Sequence, residues 1–205
     1  MSTLVYLIAG LRRMVKKATG EARRTRGAAT TRQAILAAAK LEFCKRSYDH
    51  VGVRDIAARA GVNAALVNRY FGSKPKLFAA AYAGTFQLQA LLRGDRATLG
   101  ERLVRHVMRR RTPQGGDALL LLFRSATSER ALPMIRRALE ARFVRPLGES
   151  LGGRNAHERA TLIAAQLLGL ATLSAVLHMP ALGRSRTEAV VRRVAPVVQR
   201  YIDRD

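Results

Sequence analysis

The sequence predicts an all-α protein, with an N-terminal three-helix domain of helix-turn-helix type and a larger C-terminal helical domain. Apolar residues recur at spacings of three and four over most of the chain. No segment alternates between apolar and polar residues over a useful length, so no sheet is expected. Two short helical patterns at residues 53–72 are separated by a glycine corner, which is helix-turn-helix spacing. The 205 residues are enough for one or two domains with a real core.

The first 30 residues are predicted to form a basic, mobile arm. Residues 12–32 hold eight basic residues and one acidic residue, with no apolar face. Two interpretations stay open, a solvated tail and an arm that follows DNA phosphates or enters a minor groove. The apolar run at residues 4–11 is shorter than the roughly 20 residues that span a bilayer, and no membrane partner is predicted.

The charge indicates a polyanionic partner. The chain has 37 Lys and Arg against 14 Asp and Glu, a formal net charge of +23. Residues 1–76 hold 16 of the basic residues and only 4 of the acidic ones, so the positive charge is densest there. Nucleic acid or an anionic membrane would both attract it. Every basic residue after Lys76 is Arg, a bias that genome composition also produces, so the charge by itself is moderate support for DNA.

The helices are predicted from the spacing of apolar residues and from the glycine and proline residues that interrupt it. A first helix is predicted over residues 31–46, and its single cysteine, Cys44, excludes an intrachain disulfide and fits a reducing cytoplasm. A packed thiol is favoured there over a redox switch. A second helix follows at residues 53–60. Gly61 forms the corner, because glycine adopts positive φ without strain.

Asn63 is the predicted N-cap of a third helix at residues 64–70, and Ser73 of a fourth that runs to about residue 92. Further helices are expected near residues 99–111, 116–126, 133–151, 156–178 and 186–202.

The third helix carries polar side chains that suit DNA. Asn63 and Asn68 can each present a donor and an acceptor to a base edge, and asparagine pairs well with adenine. Arg69 can bind guanine or phosphates, and the Tyr70 hydroxyl suits a phosphate oxygen. A short helix braced by two others can enter a major groove about 12 Å wide. The segment is therefore predicted to read base sequence.

Lys74 and Lys76 lie in the first turn of the fourth helix, where the helix dipole disfavours cations. A backbone phosphate at this helix end would explain the pair. The alternative is a solvated helix start, where the penalty is only a few tenths of a kcal/mol.

Residues 33–78 resemble the DNA-binding domain of TetR-family transcriptional regulators. The matching features are VRDIAARAGV at residues 53–62, a short helix that ends RYFGSK at residues 69–74, and the apolar pair Leu77 and Phe78. A looser resemblance, to the C-terminal domain of some actinobacterial members, covers residues 115–203. The resemblance implies a DNA-binding domain at residues 31–76 and a ligand-binding and dimerisation domain at residues 77–205.

The resemblance also implies a mechanism. The protein is expected to be a cytoplasmic, homodimeric repressor that needs no cofactor and binds double-stranded DNA at a palindromic operator. A small-molecule effector in the C-terminal domain would move the fourth helix and release DNA. The residues expected at DNA are Arg54, Asn63, Ala64, Ala65, Asn68, Arg69, Tyr70 and Lys74.

Some positions depart from the family pattern and leave the operator sequence open. Ser47 stands where glycine is usual, and Pro75 where glutamate is frequent. Gly52 stands where Thr or Ser usually caps the second helix and contacts phosphate, so Arg54 is expected to replace that contact. Asn68 stands where tyrosine is frequent in the recognition helix.

The helix at residues 156–178 predicts a dimer. Small residues at three- and four-residue spacing let helices approach closely, and nearly every face of this helix is apolar. The chain's own core could bury it, but a twofold interface is favoured because palindromic half-sites need a twofold protein. The predicted interface residues are Ala164, Leu168, Ala171, Ala175, Val191 and Val194.

The predicted effector pocket is a set of side chains on helices expected to line a cavity. Its members are Tyr82, Phe86, His106, Phe123, Arg124, Gln166 and His178. If Arg124 is interior, its guanidinium needs an anion, such as a ligand carboxylate.

Two rival functions are weaker. An enzyme is disfavoured because H-E-x-x-H is absent and the four histidines are scattered, so no catalytic residue or metal ligand is predicted. A non-specific architectural DNA binder would explain the charge but not the recognition helix. It would show a steep salt dependence and almost no specificity ratio.

Overall fold

The computed structural model describes residues 27–83, 88–109 and 118–203, and these residues form helices and connecting turns with no strand. The predicted all-α fold class is confirmed. Residues 1–26 of the predicted arm, and Phe86 of the predicted pocket, lie outside the described residues. The helices are α1 (27–45), α2 (Val53–Ala60), α3 (Ala64–Phe71), α4 (Lys74–Ala83), α5 (Leu88–Leu92), α6 (Leu99–Arg109), α7 (Ala118–Ser125), α8 (Leu132–Leu139), α9 (Arg145–Leu151), α10 (Ala156–Ala171) and α11 (Thr187–Asp203).

Most helix bounds agree with the sequence pattern to within a few residues, but α1 begins at residue 27, so residues 27–30 of the predicted arm are helical. The fourth predicted helix is described as α4 and α5, on either side of residues 84–87. Two π-helical segments were not expected, Glu140–Val144 between α8 and α9 and Thr172–Val176 after α10. A π-turn inserts one extra residue without breaking the helical pattern, so apolar spacing does not reveal it.

A ring cluster forms the centre of the N-terminal core. Phe43 of α1, Tyr48 of a short 3-10 turn (Tyr48–His50) and Phe78 of α4 have ring centroids 4.9 to 6.1 Å apart. Leu121 of α7 and Ile135 of α8 are buried in the same core. Burial of each large apolar side chain stabilises the fold by about 1.5–3 kcal/mol. The helix-turn-helix therefore shares its core with α7 and α8.

A buried hydrogen bond joins these two parts of the chain. The Tyr48 backbone N–H donates to the Ser125 hydroxyl at the end of α7, at 3.2 Å, and the Ser125 side chain is fully buried. The α7–α8 loop, residues 126–131, is fixed in turn because the Ala131 N–H donates to the Ser128 hydroxyl at 3.2 Å. Ser125 thus satisfies a backbone donor that would otherwise be buried unpaired, at a cost of about 1–3 kcal/mol.

The second core lies between α6, α9, α10 and α11. The contact of α6 with α11 depends on Gly100, whose N–H donates to the Gln199 side-chain oxygen at 2.8 Å. A Cβ at Gly100 would lie 2.8 Å from the Ala195 carbonyl oxygen. The two helix backbones therefore approach at a distance that only glycine permits.

Two arginines bind the carbonyl ends of α9 and α11. Buried Arg159 of α10 donates to the carbonyls of Gly152, Tyr201 and Ile202. Arg96 donates to the Leu151 carbonyl at 2.9 Å and also to that of Ile202. The last carbonyls of a helix carry partial negative charge, so guanidinium groups stabilise both ends.

The segment Ala156–Val176 is apolar and long enough to cross a membrane by length and composition alone. One of its faces packs into the second core through Ala160, Ile163 and Leu167, which are all buried. It is therefore accounted for as a core helix of the folded chain.

Candidate nucleic-acid interface

The turn between α2 and α3 has helix-turn-helix geometry. Gly61 adopts φ 65° and ψ 32°, in the left-handed region, as its position in the sequence predicts. The Val62 N–H donates to the Ala57 carbonyl at 3.0 Å, which closes the end of α2. Ala57 and Val67 are buried between the two helices. This packing sets the angle of α3 and leaves its opposite face outward.

The start of α3 is fixed by Asn63. Its side-chain oxygen accepts the Ala65 N–H at 2.9 Å, which confirms the predicted N-cap. The cap uses one lone pair of that oxygen, whereas both N–H donors of the amide stay available to a base. The sequence pattern predicts that donor and acceptor alike face DNA, so the cap reduces the acceptor's part.

The other predicted residues of α3 form one outward face. Asn63, Ala65, Asn68 and Arg69 are exposed, while Ala64 and Tyr70 are half-buried. The side chains offer amide, guanidinium and hydroxyl groups together, which is the chemistry that base edges and phosphates accept.

Lys74 begins α4 beside the Tyr48 ring. Its ammonium lies 4.4 Å from the ring centroid, a cation–π contact, and the residue is half-buried. Burial lowers the pKa of Lys74, with Asp49 opposing the shift and Arg130 adding to it. The ring contact was not foreseen because it joins residues that are distant in the sequence.

The first turn of α2 differs from the family pattern. With glycine at the cap position, the Gly52 N–H donates to the Asp55 carboxylate at 2.9 Å. Arg54 is exposed in the same turn, where a phosphate can reach it.

A buried carboxylate holds α2 against α1. Glu42 of α1 accepts a hydrogen bond from Arg46 at 2.8 Å and a second, very short one from Arg59 of α2. Arg46 also donates to Asp55 at 3.1 Å, which links the cap of α2 to the same network. Burial would raise the pKa of Glu42, but the hydrogen bonds and charges of Arg46 and Arg59 outweigh burial and lower it.

The residues predicted to line an effector pocket are spread over the molecule. Tyr82 is buried in the N-terminal core, which raises its pKa to about 12. His106 is half-buried on α6, while Phe123 and Arg124 are exposed on α7. Gln166 on α10 and His178, which adopts φ 51°, are also exposed.

The described residues form several grooves. One of about 410 Å³ lies between α4, α5 and the π-helical segment Glu140–Val144. Its lining is Ala83, Leu88, Gln89, Ala90, Arg93, Ala141, Arg142 and Pro146.

The predicted dimer residues divide in two groups. Ala164 and Val191 are buried in the chain's own core, so their side chains need no second copy. Leu168, Ala171, Ala175 and Val194 are half-buried.

From residue 162 onward, the exposed residues of α10 recur at three- and four-residue spacing. They are Leu162, Ala165, Gln166, Gly169 and, in the following π-helical segment, Leu173. We call these five residues the α10 stripe. The sequence did not separate the two faces because both are apolar.

Within the described residues, no group of three or more His, Cys, Asp or Glu side chains could hold a metal ion. Cys44 is half-buried and unbridged.

A short, capped helix held outward by a glycine corner, with amide and guanidinium groups on its free face, defines a helix-turn-helix DNA-binding regulator. Sequence profiles agree in both parts of the chain. Residues 35–81 match the profile "Bacterial regulatory proteins, tetR family", and residues 97–202 match "Tetracyclin repressor-like, C-terminal domain". The chain belongs to the TetR family of transcriptional regulators.

Solved structures with the same fold include a TetR-family regulator from Streptomyces coelicolor A3. It is 31% identical, with 86% of this chain and 96% of that one covered and a TM-score of 0.56. NalD, the secondary repressor of the MexAB-OprM multidrug efflux pump in Pseudomonas aeruginosa, is 21% identical, with 85% and 97% covered and a TM-score of 0.64.

The fatty acid degradation regulator FadR from Bacillus halodurans is 15% identical, with 82% and 94% covered and a TM-score of 0.57. At such identities NalD and FadR show the fold alone. No curated protein matches the sequence.

The Glu42 network predicts an acid-sensitive helix-turn-helix. The folded pKa of Glu42 lies below the ordinary value of 4.5, so its stabilisation is fully present above about pH 5. It is lost as the pH falls through the folded pKa. Glu42→Gln should lower the free energy of unfolding by about 1–3 kcal/mol at pH 7 and flatten its acid dependence.

Urea unfolding between about pH 3 and pH 7 measures both effects. The control is Glu149→Gln, which removes an exposed carboxylate of α9. Equal acid dependence in wild type and Glu42→Gln would show that the network does not stabilise the fold.

Proposed function

We propose that this protein is a homodimeric transcriptional repressor that binds a palindromic operator through α3 and is released by a small-molecule effector. It works in the cytoplasm, catalyses no reaction and uses no cofactor. The observation that carries the proposal is the outward face of α3, which is rigidly placed and bears base-reading groups. An architectural DNA binder would need the charge but not that face.

Base reading falls to the exposed side chains of α3. Asn68 and Arg69 are exposed in the second half of α3 and take no part in its N-cap. Asn68 can pair with adenine through both amide atoms, whereas Asn63 offers its NH₂ group. Ala64 and Ala65 add small apolar surface that suits a thymine methyl group.

Residues around α3 bind the phosphates of the DNA backbone and so position the protein on the duplex. Lys74 places its ammonium at the start of α4, Tyr70 carries a hydroxyl at the end of α3, and Arg54 is exposed at the start of α2. Burial disfavours the charged form of Lys74 in the free protein. A phosphate beside it would offset that cost and add a charge-assisted hydrogen bond.

The α10 stripe and the neighbouring helix α11 form the dimer interface in this proposal. Leu162 is 40% exposed, Leu173 is 42% exposed, and Val197 of α11 is 39% exposed. A groove of about 400 Å³ runs between the two helices and is lined in part by Leu162, Val197 and Tyr201. A twofold pairing of α10 and α11 would bury these apolar side chains and place two α3 helices for two half-sites.

The effector binds to the C-terminal part of the chain, as in the family to which the chain belongs. The predicted pocket residues remain proposals, as do the domain boundaries at residues 30 and 76. Because α4 shares a core with α7 and α8, a ligand that displaces either helix would also displace the start of α4.

Two substitutions separate base reading from phosphate binding. Lys74→Ala should weaken binding to every duplex and lower the salt slope by roughly 0.9 per side chain. Asn68→Ala should instead change preference at particular base pairs by about 1–3 kcal/mol, with little change in salt slope. Dissociation constants for a panel of related duplexes, measured over a range of KCl concentrations, give both quantities.

Arg145→Ala is the control for charge, since Arg145 is exposed on α9. The same sequence-independent loss for Asn68→Ala and Lys74→Ala would contradict the division of roles.

The dimer proposal is tested at Gly169. A Cβ at this position meets no atom of the chain within 4 Å, so Gly169→Arg should leave the monomer folded. In the proposed dimer it places a charge in an apolar interface and should shift the protein from dimer to monomer, as Leu173→Arg should. Sedimentation equilibrium measures the shift.

The matched control is Leu132→Arg, because Leu132 is 50% exposed on α8, away from the α10 stripe. Dimers of unchanged affinity in both stripe variants would exclude this face as the interface.

A further inference from the structure

The α7–α8 loop lies against the part of the helix-turn-helix domain that carries Lys74. At one end of the loop, Ser125 accepts the Tyr48 N–H at 3.2 Å. At the other end, the fully buried Ala131 is held in the N-terminal core. Arg130 comes directly before Ala131 and is exposed. Its backbone is therefore fixed while its guanidinium remains in solvent.

Arg130 belongs to the loop that Ser125 joins to Tyr48, and the Tyr48 ring lies 4.4 Å from the Lys74 ammonium. In keeping with this placement, burial lowers the pKa of Lys74, Asp49 opposes the shift and the Arg130 charge adds to it. Within the part of the chain that the structure describes, neither cation forms an ion pair with a carboxylate. Asp49 is the carboxylate that acts on this cluster, and it leaves a net positive charge there.

Lys74 and Arg130 carry like charges, which disfavour each other in the free protein. The repulsion is relieved when an anion lies between or beside them. Asp49 offsets at most one of these two charges, and in the described residues no carboxylate forms an ion pair with either cation. The arrangement is instead suited to a ligand that carries a row of negative charges.

We propose that Arg130, from the α7–α8 loop, binds a DNA backbone phosphate beside the one bound by Lys74. The inference rests on the proposed DNA-binding function and extends the interface beyond α1–α4 to a segment of the C-terminal half of the sequence. A guanidinium suits the task because its planar donors bind two phosphate oxygens at once.

The proposal gives the loop a part in DNA release. Ser125 couples Arg130 to the 3-10 turn, and the ring cluster couples that turn to α4. A displacement of α7 relative to α4 would change the spacing of Arg130 and Lys74 and so their match to adjacent phosphates.

The test is the salt dependence of DNA binding by Arg130→Gln, Arg130→Lys and wild type. Each is measured on a duplex recovered by selection from random DNA and on one random duplex. Arg130→Gln should lower the slope of log Kd against log KCl by roughly 0.9 per side chain, or roughly 1.8 for a dimer, on both duplexes. Affinity should fall about tenfold or more at 0.1 M salt, with base preference unchanged. Arg130→Lys keeps the charge and should keep the slope.

Arg145→Gln removes the same charge from α9 and should leave the slope as in wild type. If wild type binds DNA and Arg130→Gln has an unchanged slope, the Arg130 inference alone is overturned. If wild type binds neither duplex, the proposed function fails and the inference fails with it. Circular dichroism melting of Arg130→Gln should match wild type, and a lower melting temperature with an unchanged slope would assign Arg130 a structural role instead.

Discussion

The packing of Tyr48 against Phe43 and Phe78 is the contact on which the DNA-binding geometry depends. Through its ring, the 3-10 turn after α1 is tied to α4, and through its backbone N–H the same turn is tied to Ser125 of α7. The Lys74 ammonium also lies over the face of the Tyr48 ring. One residue therefore sets the positions of the first helix, the start of the fourth helix and the α7–α8 loop.

This arrangement makes the DNA-binding end sensitive to the rest of the chain. Leu121 of α7 and Ile135 of α8 are buried in the core that supports α3, so the core extends past residue 76. Packed cores switch between arrangements more readily than they deform continuously. A ligand that favours a second arrangement of α7 against α4 would act on DNA through the same contacts that hold the helix-turn-helix together.

The sequence predicts what is set locally. The Gly61 corner and the Asn63 cap depend on residues within one or two turns, and both are found as expected. The exposed face of α3 follows from the same local pattern, because Val67 must pack inward.

Long-range contacts are not encoded in that way. The Tyr48–Ser125 hydrogen bond joins residues 77 positions apart, and no spacing rule indicates it. On α10 the apolar residues surround the helix, so the pattern does not distinguish the face that meets α6 and α11 from the face left exposed. Ala164 was for this reason assigned to a dimer contact, although it lies in the core. Asn63 shows the reverse case, since its cap role was predicted but its effect on base reading was not.

The central claim is that α3 reads a defined sequence in two copies related by a twofold axis. Selection of duplexes from random DNA by the purified wild-type protein tests it most directly. A twofold dimer should enrich a palindrome whose half-sites are separated by about one helical turn or a multiple of it. Recovery of duplexes with no common sequence would contradict sequence reading by α3.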